Sequence, residues 1–212
     1  MDVLERMTAV GVVPVIVVDD VPQAEKLADA LVAGGLPIAE ITFRTAAGAD
    51  AIRAISGRSD ILVGAGTVTT VEQVDAAVAA GAKYVVSPGT SRAVVERAQE
   101  LGIMALPGAI TATEIQAALE LGITTVKFFP AGTSGGAAAI KALAAPFGGV
   151  GFVPTGGISL SNMADYLSIK AVKAVGGSWM VKPDMIRAGQ WDELAEIARA
   201  SVKAAAEIRA AA

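Results

Sequence analysis

The 212-residue chain contains no histidine, no cysteine, and only two Trp, two Tyr and five Phe. Each absence removes a class of chemistry. Without histidine there is no Ser-His-Asp or Cys-His relay, no imidazole acid or base, and no His-ligated metal or haem. Without cysteine, disulfide frameworks, thiol nucleophiles and thiolate zinc sites drop out. A basic excess is missing too. The net charge is −4, which leaves no electrostatic footprint for nucleic acid or an anionic membrane. Long apolar runs are also lacking, although 53 % of residues are hydrophobic and mean hydropathy is +0.56. The most apolar stretch, Ala9 to Val18, is interrupted by Gly11 and Pro14, whereas a membrane span needs about 20 residues. The opening Met-Asp-Val-Leu-Glu-Arg lacks the basic n-region of a signal peptide. A cytoplasmic protein with neither a nucleic-acid nor a membrane partner is expected. Any chemistry falls to Lys, Arg, Asp, Glu, Ser, Thr, Tyr, backbone amides or a borrowed cofactor.

What the chain does have is one repeating pattern. A β-rich apolar run ends in Gly, Pro, Ser or Thr, an Ala-rich amphipathic stretch follows, and a glycine closes it. Eight strand-like runs are read: 12–18, 38–43, 61–65, 84–87, 104–107, 125–129, 151–155 and 172–176. Helical patterns cover 21–33, 71–80, 92–101, 112–121 and 137–144, and 190–212 reads as a long terminal helix. Gly34, Gly81, Gly102 and Gly122 fall where a left-handed helix cap is favoured. Thr67, Ser87, Pro107 and Lys127 lie at or near strand ends at equal spacing, one strand–helix unit apart. Such alternation implies parallel strands joined by right-handed crossovers. Eight units predict an α/β (β/α)₈ TIM barrel, one domain spanning 1–212, ahead of an open doubly wound sheet.

Barrel function gathers at the C-terminal ends of the strands, so polar residues inside strand runs stand out. Two are ionisable: Glu40 and Lys127, whereas the other seven lysines lie on helical or loop segments. An ammonium withdrawn from water is disfavoured relative to its neutral amine, and a neutral amine attacks carbonyls to form a Schiff base. The alternative for Lys127 is an ion pair with Glu40 that fills the barrel, or a side chain that snorkels to the rim. Strand alternation places Glu40, Thr42 and Arg44 on one face. If that face points inward, Glu40 is placed for proton transfer and Arg44 reaches the mouth, where a guanidinium could hold a carboxylate. Arg44 as a plain surface arginine stays open. Two glycine-rich turns, Thr155-Gly156-Gly157 and Gly176-Gly177-Ser178, follow strands seven and eight, where barrels often bind phosphate. Gly64-Ala65-Gly66-Thr67 is a G-x-G without the rest of a dinucleotide fingerprint, so Thr67 is read as a hydroxyl at the mouth.

These residues resemble the bacterial 2-keto-3-deoxy-6-phosphogluconate (KDPG) aldolase family, also described as 4-hydroxy-2-oxoglutarate (KHG) aldolase. The resemblance runs from Val-Pro-Val-Ile-Val-Val at 13–18 to Gly-Gly-Ser-Trp at 176–179. Its most specific pieces are Glu-Ile-Thr-Phe-Arg-Thr (40–45), Gly-Ala-Gly-Thr-Val (64–68), Ser-Pro-Gly (87–89), Lys-Phe-Phe-Pro-Ala (127–131) and Pro-Thr-Gly-Gly-Ile-Ser (154–159). The resemblance implies a class I aldolase with Lys127 as Schiff-base lysine and Glu40 as general acid/base acting through a water. It implies Arg44 and Thr67 on the pyruvyl carboxylate, and Pro88 and Phe129 against the pyruvyl methyl. Gly156, Gly157 and Ser178 would hold the phosphate, with Thr155 beside them. The implied partner is a small 2-keto acid or phosphosugar acid, the implied assembly a homotrimer, and no metal or other cofactor is implied. Phosphogalactonate-type relatives tend to carry an arginine where this chain has Val17, which favours the gluconate type. Two rival readings remain on the same barrel: a metal-free phosphosugar isomerase or epimerase, and a non-catalytic assembly scaffold.

Overall fold

Alternating apolar strands and small-residue helices bury both faces of a parallel sheet, and here the sheet closes. The computed structural model describes residues 1–212. Its strands are β1 (Val12–Ile16), β2 (Ile38–Thr42), β3 (Leu62–Gly66), β4 (Tyr84–Val86), β5 (Met104–Leu106), β6 (Thr125–Phe128), β7 (Gly151–Pro154) and β8 (Val175–Gly177). Helices α1 (Val3–Val10), α2 (Val21–Ala33), α3 (Gly48–Ile55), α4 (Val71–Ala79) and α5 (Arg92–Glu100) precede or separate the first five. Helices α6 (Ala112–Glu120), α7 (Gly136–Ala144), α8 (Met163–Leu167), α9 (Pro183–Arg187) and α10 (Trp191–Ala210) complete the chain. None is long and apolar enough to cross a membrane.

All ladders are parallel, in the order β5-β4-β3-β2-β1-β8, with β6-β7 as a second pair. Two thin seams join these pieces. Gly108 bridges Lys127 on one side, and Phe152–Val172 and Thr155–Gly176 bridge on the other. The result is the eight-stranded (β/α)₈ barrel expected from the sequence, in which β2 and β6 stand on opposite walls.

Three local expectations are corrected. The eighth strand begins at Val175, not Val172, because Val172 pairs with Phe152 of β7 while the ladder with β1 starts at Val12–Val175. The third strand is shifted to Leu62–Gly66. Gly34 is right-handed (φ −78°), and Gly35 takes the positive φ of +72°. Gly34 is needed for space instead. A Cβ there would sit 2.6 Å from the Ala195 carbonyl and 2.7 Å from Ala198, so its absence lets α2 lie against α10.

The outer shell is a large cluster of helix and strand residues including Leu27, Ile52, Val74, Ile115 and Leu194. Inside the barrel lies a separate, smaller cluster of Val13, Ile38, Leu62, Tyr84, Val86, Leu106, Val153 and Ala174. Met7 of α1 joins it and is fully buried, so α1 plugs the N-terminal end of the barrel. A reciprocal box between Asp2 and Glu5 starts that helix and Gly11, at φ +82°, ends it. This cap forms a largely apolar floor, and the inward-facing charged residues lie toward the opposite end.

Candidate active site

Side chains two residues apart in a strand share a face. Since Ile38 and Thr125 point into the barrel, Glu40 and Lys127 do as well. Both are almost fully buried, at 3 % and 5 % exposure. Lys127 Nζ lies 3.4 Å from Glu40 Oε1, the pair meeting across the lumen from opposite walls. The same ammonium lies 5.2 Å from the centroid of the Phe129 ring, within cation–π reach. Lys127 does not snorkel: it ends among Glu40, Phe129 and the apolar wall. Buried ion pairs are held only where both charges stay partnered, since an orphaned one costs several kcal/mol.

Two glycines to which the sequence assigns no role of their own shape this space. A Cβ on Gly66 would come within 2.4 Å of Glu40 Oε1, so glycine is required for the carboxylate to occupy the lumen. A Cβ on Gly64 would strike the Tyr84 ring at 2.3 Å. The Tyr84 ring therefore lies against β3, and its hydroxyl donates to the Ala39 carbonyl at 3.1 Å. Burial pushes the Tyr84 phenol well above the usual tyrosine value, and the Glu40 charge pushes the same way. The signal for both glycines was the G-x-G spacing itself. Two inward positions on one strand without side chains face bulky residues from neighbouring strands.

At the mouth, Arg44 lies just beyond β2, exposed, and its Nε donates to Thr67 Oγ1 at 3.3 Å. Arg44 thus stays at the surface of the mouth, turned toward Thr67. Thr67 follows β3 with φ +58°, a left-handed conformation that is strained for a β-branched residue. Thr42, on the same face, is buried and donates to the Ile16 carbonyl at 2.7 Å. Pro88 sits exposed in the loop after β4, anchored by Ser87 Oγ donating to the Gly89 carbonyl at 2.7 Å. Phe129 is half-buried beside Lys127 and lies 3.3 Å from where a Gly156 Cβ would stand.

The loops after β7 and β8 are neighbours. Buried Thr155 bridges Gly176, whose lack of a side chain leaves room for Thr155 Oγ1. Gly156 and Gly157 both adopt positive φ, +94° and +75°. The Gly156 carbonyl accepts from Gly132 N–H at 2.9 Å, and the Gly157 carbonyl from the Asn162 side chain, also at 2.9 Å. Ser178 is exposed one residue past β8. Every candidate site residue therefore lies inside or around one end of the barrel, toward the C-terminal ends of the strands.

A (β/α)₈ barrel with a buried lysine–carboxylate pair under an arginine-lined mouth has the groups of a Schiff-base lyase. The comparisons agree. The family model for KDPG and KHG aldolase matches residues 3–197. A 2-dehydro-3-deoxy-phosphogluconate aldolase of Treponema pallidum (strain Nichols) is 46 % identical over 202 residues, 95 % of this chain and 96 % of that protein. The KHG/KDPG aldolase of Escherichia coli (strain K12) is 43 % identical, covering 94 % of each. Among solved structures, the KDPG aldolase of Legionella pneumophila superposes with TM-score 0.90 at 38 % identity, covering 93 % of this chain and 97 % of that one. That enzyme was captured with pyruvate as a covalent carbinolamine intermediate. The chain belongs to the KDPG and KHG aldolase family.

Proposed function

We propose that this chain cleaves 2-dehydro-3-deoxy-6-phosphogluconate to pyruvate and glyceraldehyde 3-phosphate, and 4-hydroxy-2-oxoglutarate to pyruvate and glyoxylate, through a Schiff base on Lys127. The observation that carries the reading is the Lys127–Glu40 pair, isolated from solvent at the bottom of the mouth. Passing one proton from the ammonium to the carboxylate turns an ion pair into a nucleophilic amine and a general acid. Lys127 Nζ then attacks the C2 ketone. Glu40 returns the proton to the oxygen, and loss of water from the carbinolamine leaves the iminium. Glu40, through a water, next takes the proton from the C4 hydroxyl. The C3–C4 bond breaks, its electron pair moves into the iminium to form an enamine, and the aldehyde leaves. Protonation at C3 and hydrolysis release pyruvate and regenerate Lys127.

The rest of the mouth positions the substrate. Arg44, which has only the Thr67 hydroxyl as partner, takes the carboxylate together with Thr67. Pro88 and Phe129 bracket the pyruvyl methyl carbon. Thr155, Gly156, Gly157 and Ser178 receive the phosphate, where positive φ at two successive glycines lets backbone approach an anion closely. The same reading takes residues 1–212 as one domain, working in the cytoplasm as a homotrimer. Light scattering tests the trimer.

Borohydride reduction in the presence of pyruvate tests the chemistry. Intact-mass and peptide analysis should place one reduced pyruvyl adduct on Lys127, and Lys127→Met should lose both the adduct and pyruvate release. Activity without any trappable adduct would point instead to an enzyme that never forms an iminium.

A further inference from the structure

The charge of the chain is unevenly distributed. From 121 to 182 it carries Lys127, Lys141, Lys170, Lys173 and Lys182 against a single acid, Asp165, although the whole molecule is negative. Three of these lysines converge. Lys141 of α7 and Lys170 and Lys173 of the α8–β8 connection line one cavity of about 440 Å³. No acidic residue lines it, and only Lys127 and Lys203 among the lysines have carboxylate partners. The cavity lies where β7 and β8 begin, the end of the barrel opposite the Glu40–Lys127 pair.

The remaining walls suit a compact anion with an apolar portion. Val150, Ile169, Ala144 and Ala171 supply apolar surface. Gly148 and Gly149 also line it, and neither donates its N–H to a protein acceptor. A Cβ on either glycine would meet nothing within 4 Å, so this wall is open to a ligand. The Lys173 stem is packed: its Cγ and Cε lie 3.0 Å from where a Gly151 Cβ would stand, and the residue lines the cavity. Beside it, Arg209 and Lys170 line an adjoining cavity. The Arg209 guanidinium donates to the Thr8 and Lys173 carbonyls, and its buried Nε has no partner. No carboxylate stands within ion-pair distance of it, although Ala212 lines the same adjoining cavity. A cavity of this size falls in the range that encloses small ligands, whereas the net negative charge of the molecule opposes a long polyanion.

We infer that this cavity is a second anion site, taking the phosphate group of a small phosphorylated metabolite on Lys141, Lys170 and Lys173. Isothermal titration with inorganic phosphate at low salt tests it in a Ser178→Asp background, where a carboxylate repels anions from the loops after β7 and β8. Binding should persist there and weaken with added salt. In the triple variant Lys141→Gln/Lys170→Gln/Lys173→Gln it should fall at least about tenfold. The triple substitution without Ser178→Asp should leave aldol cleavage unchanged. Lys141→Glu alone, at an exposed helix position, should weaken phosphate binding in the same direction and keeps the test valid if the triple variant unfolds. Equal phosphate affinity with and without the three lysines would overturn the inference. So would an absence of binding in the Ser178→Asp protein.

Discussion

The two ends of the barrel interior are built from the same strands and do opposite work. At the N-terminal end, Val13, Ile38, Leu62, Tyr84, Val86 and Leu106 close into an apolar plug sealed by Met7. One or two positions further along the same inward rows come Glu40, Thr42, Lys127 and Thr155, all buried, and then open mouth. The floor gains its free energy from excluded water, about 1.5–3 kcal/mol for each large side chain fully buried. The mouth gives some of that up by holding two charges out of solvent. The difference is that the buried charges occupy a single layer above the apolar floor, in space that the glycines of β3 leave open.

That division can be tested in order of effect. Glu40→Gln removes the proton carrier without removing volume, so pyruvate release should fall by roughly 10²–10⁴-fold, measured in a coupled assay. If the rate barely moved, Glu40 would serve only to partner Lys127. At the floor, Leu106→Ala opens a cavity in the plug and should cost about 2–5 kcal/mol in denaturant unfolding, with little change in KM below the transition. A large loss of catalysis at constant stability would mean that floor and mouth are not separate. The smallest effect concerns Tyr84. Its phenol is held well above the usual tyrosine value by burial and by Glu40. The folded protein therefore keeps a proton that the unfolded chain releases, and stability should decline as pH rises above about 10. Ultraviolet titration should show this tyrosine resisting ionisation until the protein unfolds, and Tyr84→Phe should flatten that decline.

Much of the fold was legible because the signals are local. Apolar runs of strand length, separated by Ala-rich amphipathic stretches, place eight strands and most of the helices. The equal spacing of Thr67, Ser87, Pro107 and Lys127 marks successive units, and in the structure the first three lie one residue past β3, β4 and β5. Signals that depend on a distant neighbour were not legible. Gly34 looks like a cap in sequence, but its absent side chain serves the α2–α10 contact and Gly35 carries the left-handed turn. Val172 has strand character and so suggests an earlier start for β8, yet it pairs with β7 before the chain reaches β1. Helix α1 went unread as a plug, since nothing in Met7 alone says which end of a barrel it will fill.

The site divides the same way. Alternation along a strand fixes parity, so the sequence alone determined that Glu40 shares its face with Thr42, and that Lys127 is an exception in an apolar run; Arg44 lies past the end of β2, where parity no longer applies. Parity says nothing about which strand lies opposite. Only closure of the sheet, through the bridges at Gly108–Lys127 and Thr155–Gly176, sets β2 and β6 across the lumen and brings the two charges within 3.4 Å. The same closure turned Gly66 from a loop-like glycine into the space in which Glu40 resides. Residue chemistry and period are written along the chain, whereas the meeting of residues 87 positions apart depends on the barrel that the whole chain forms.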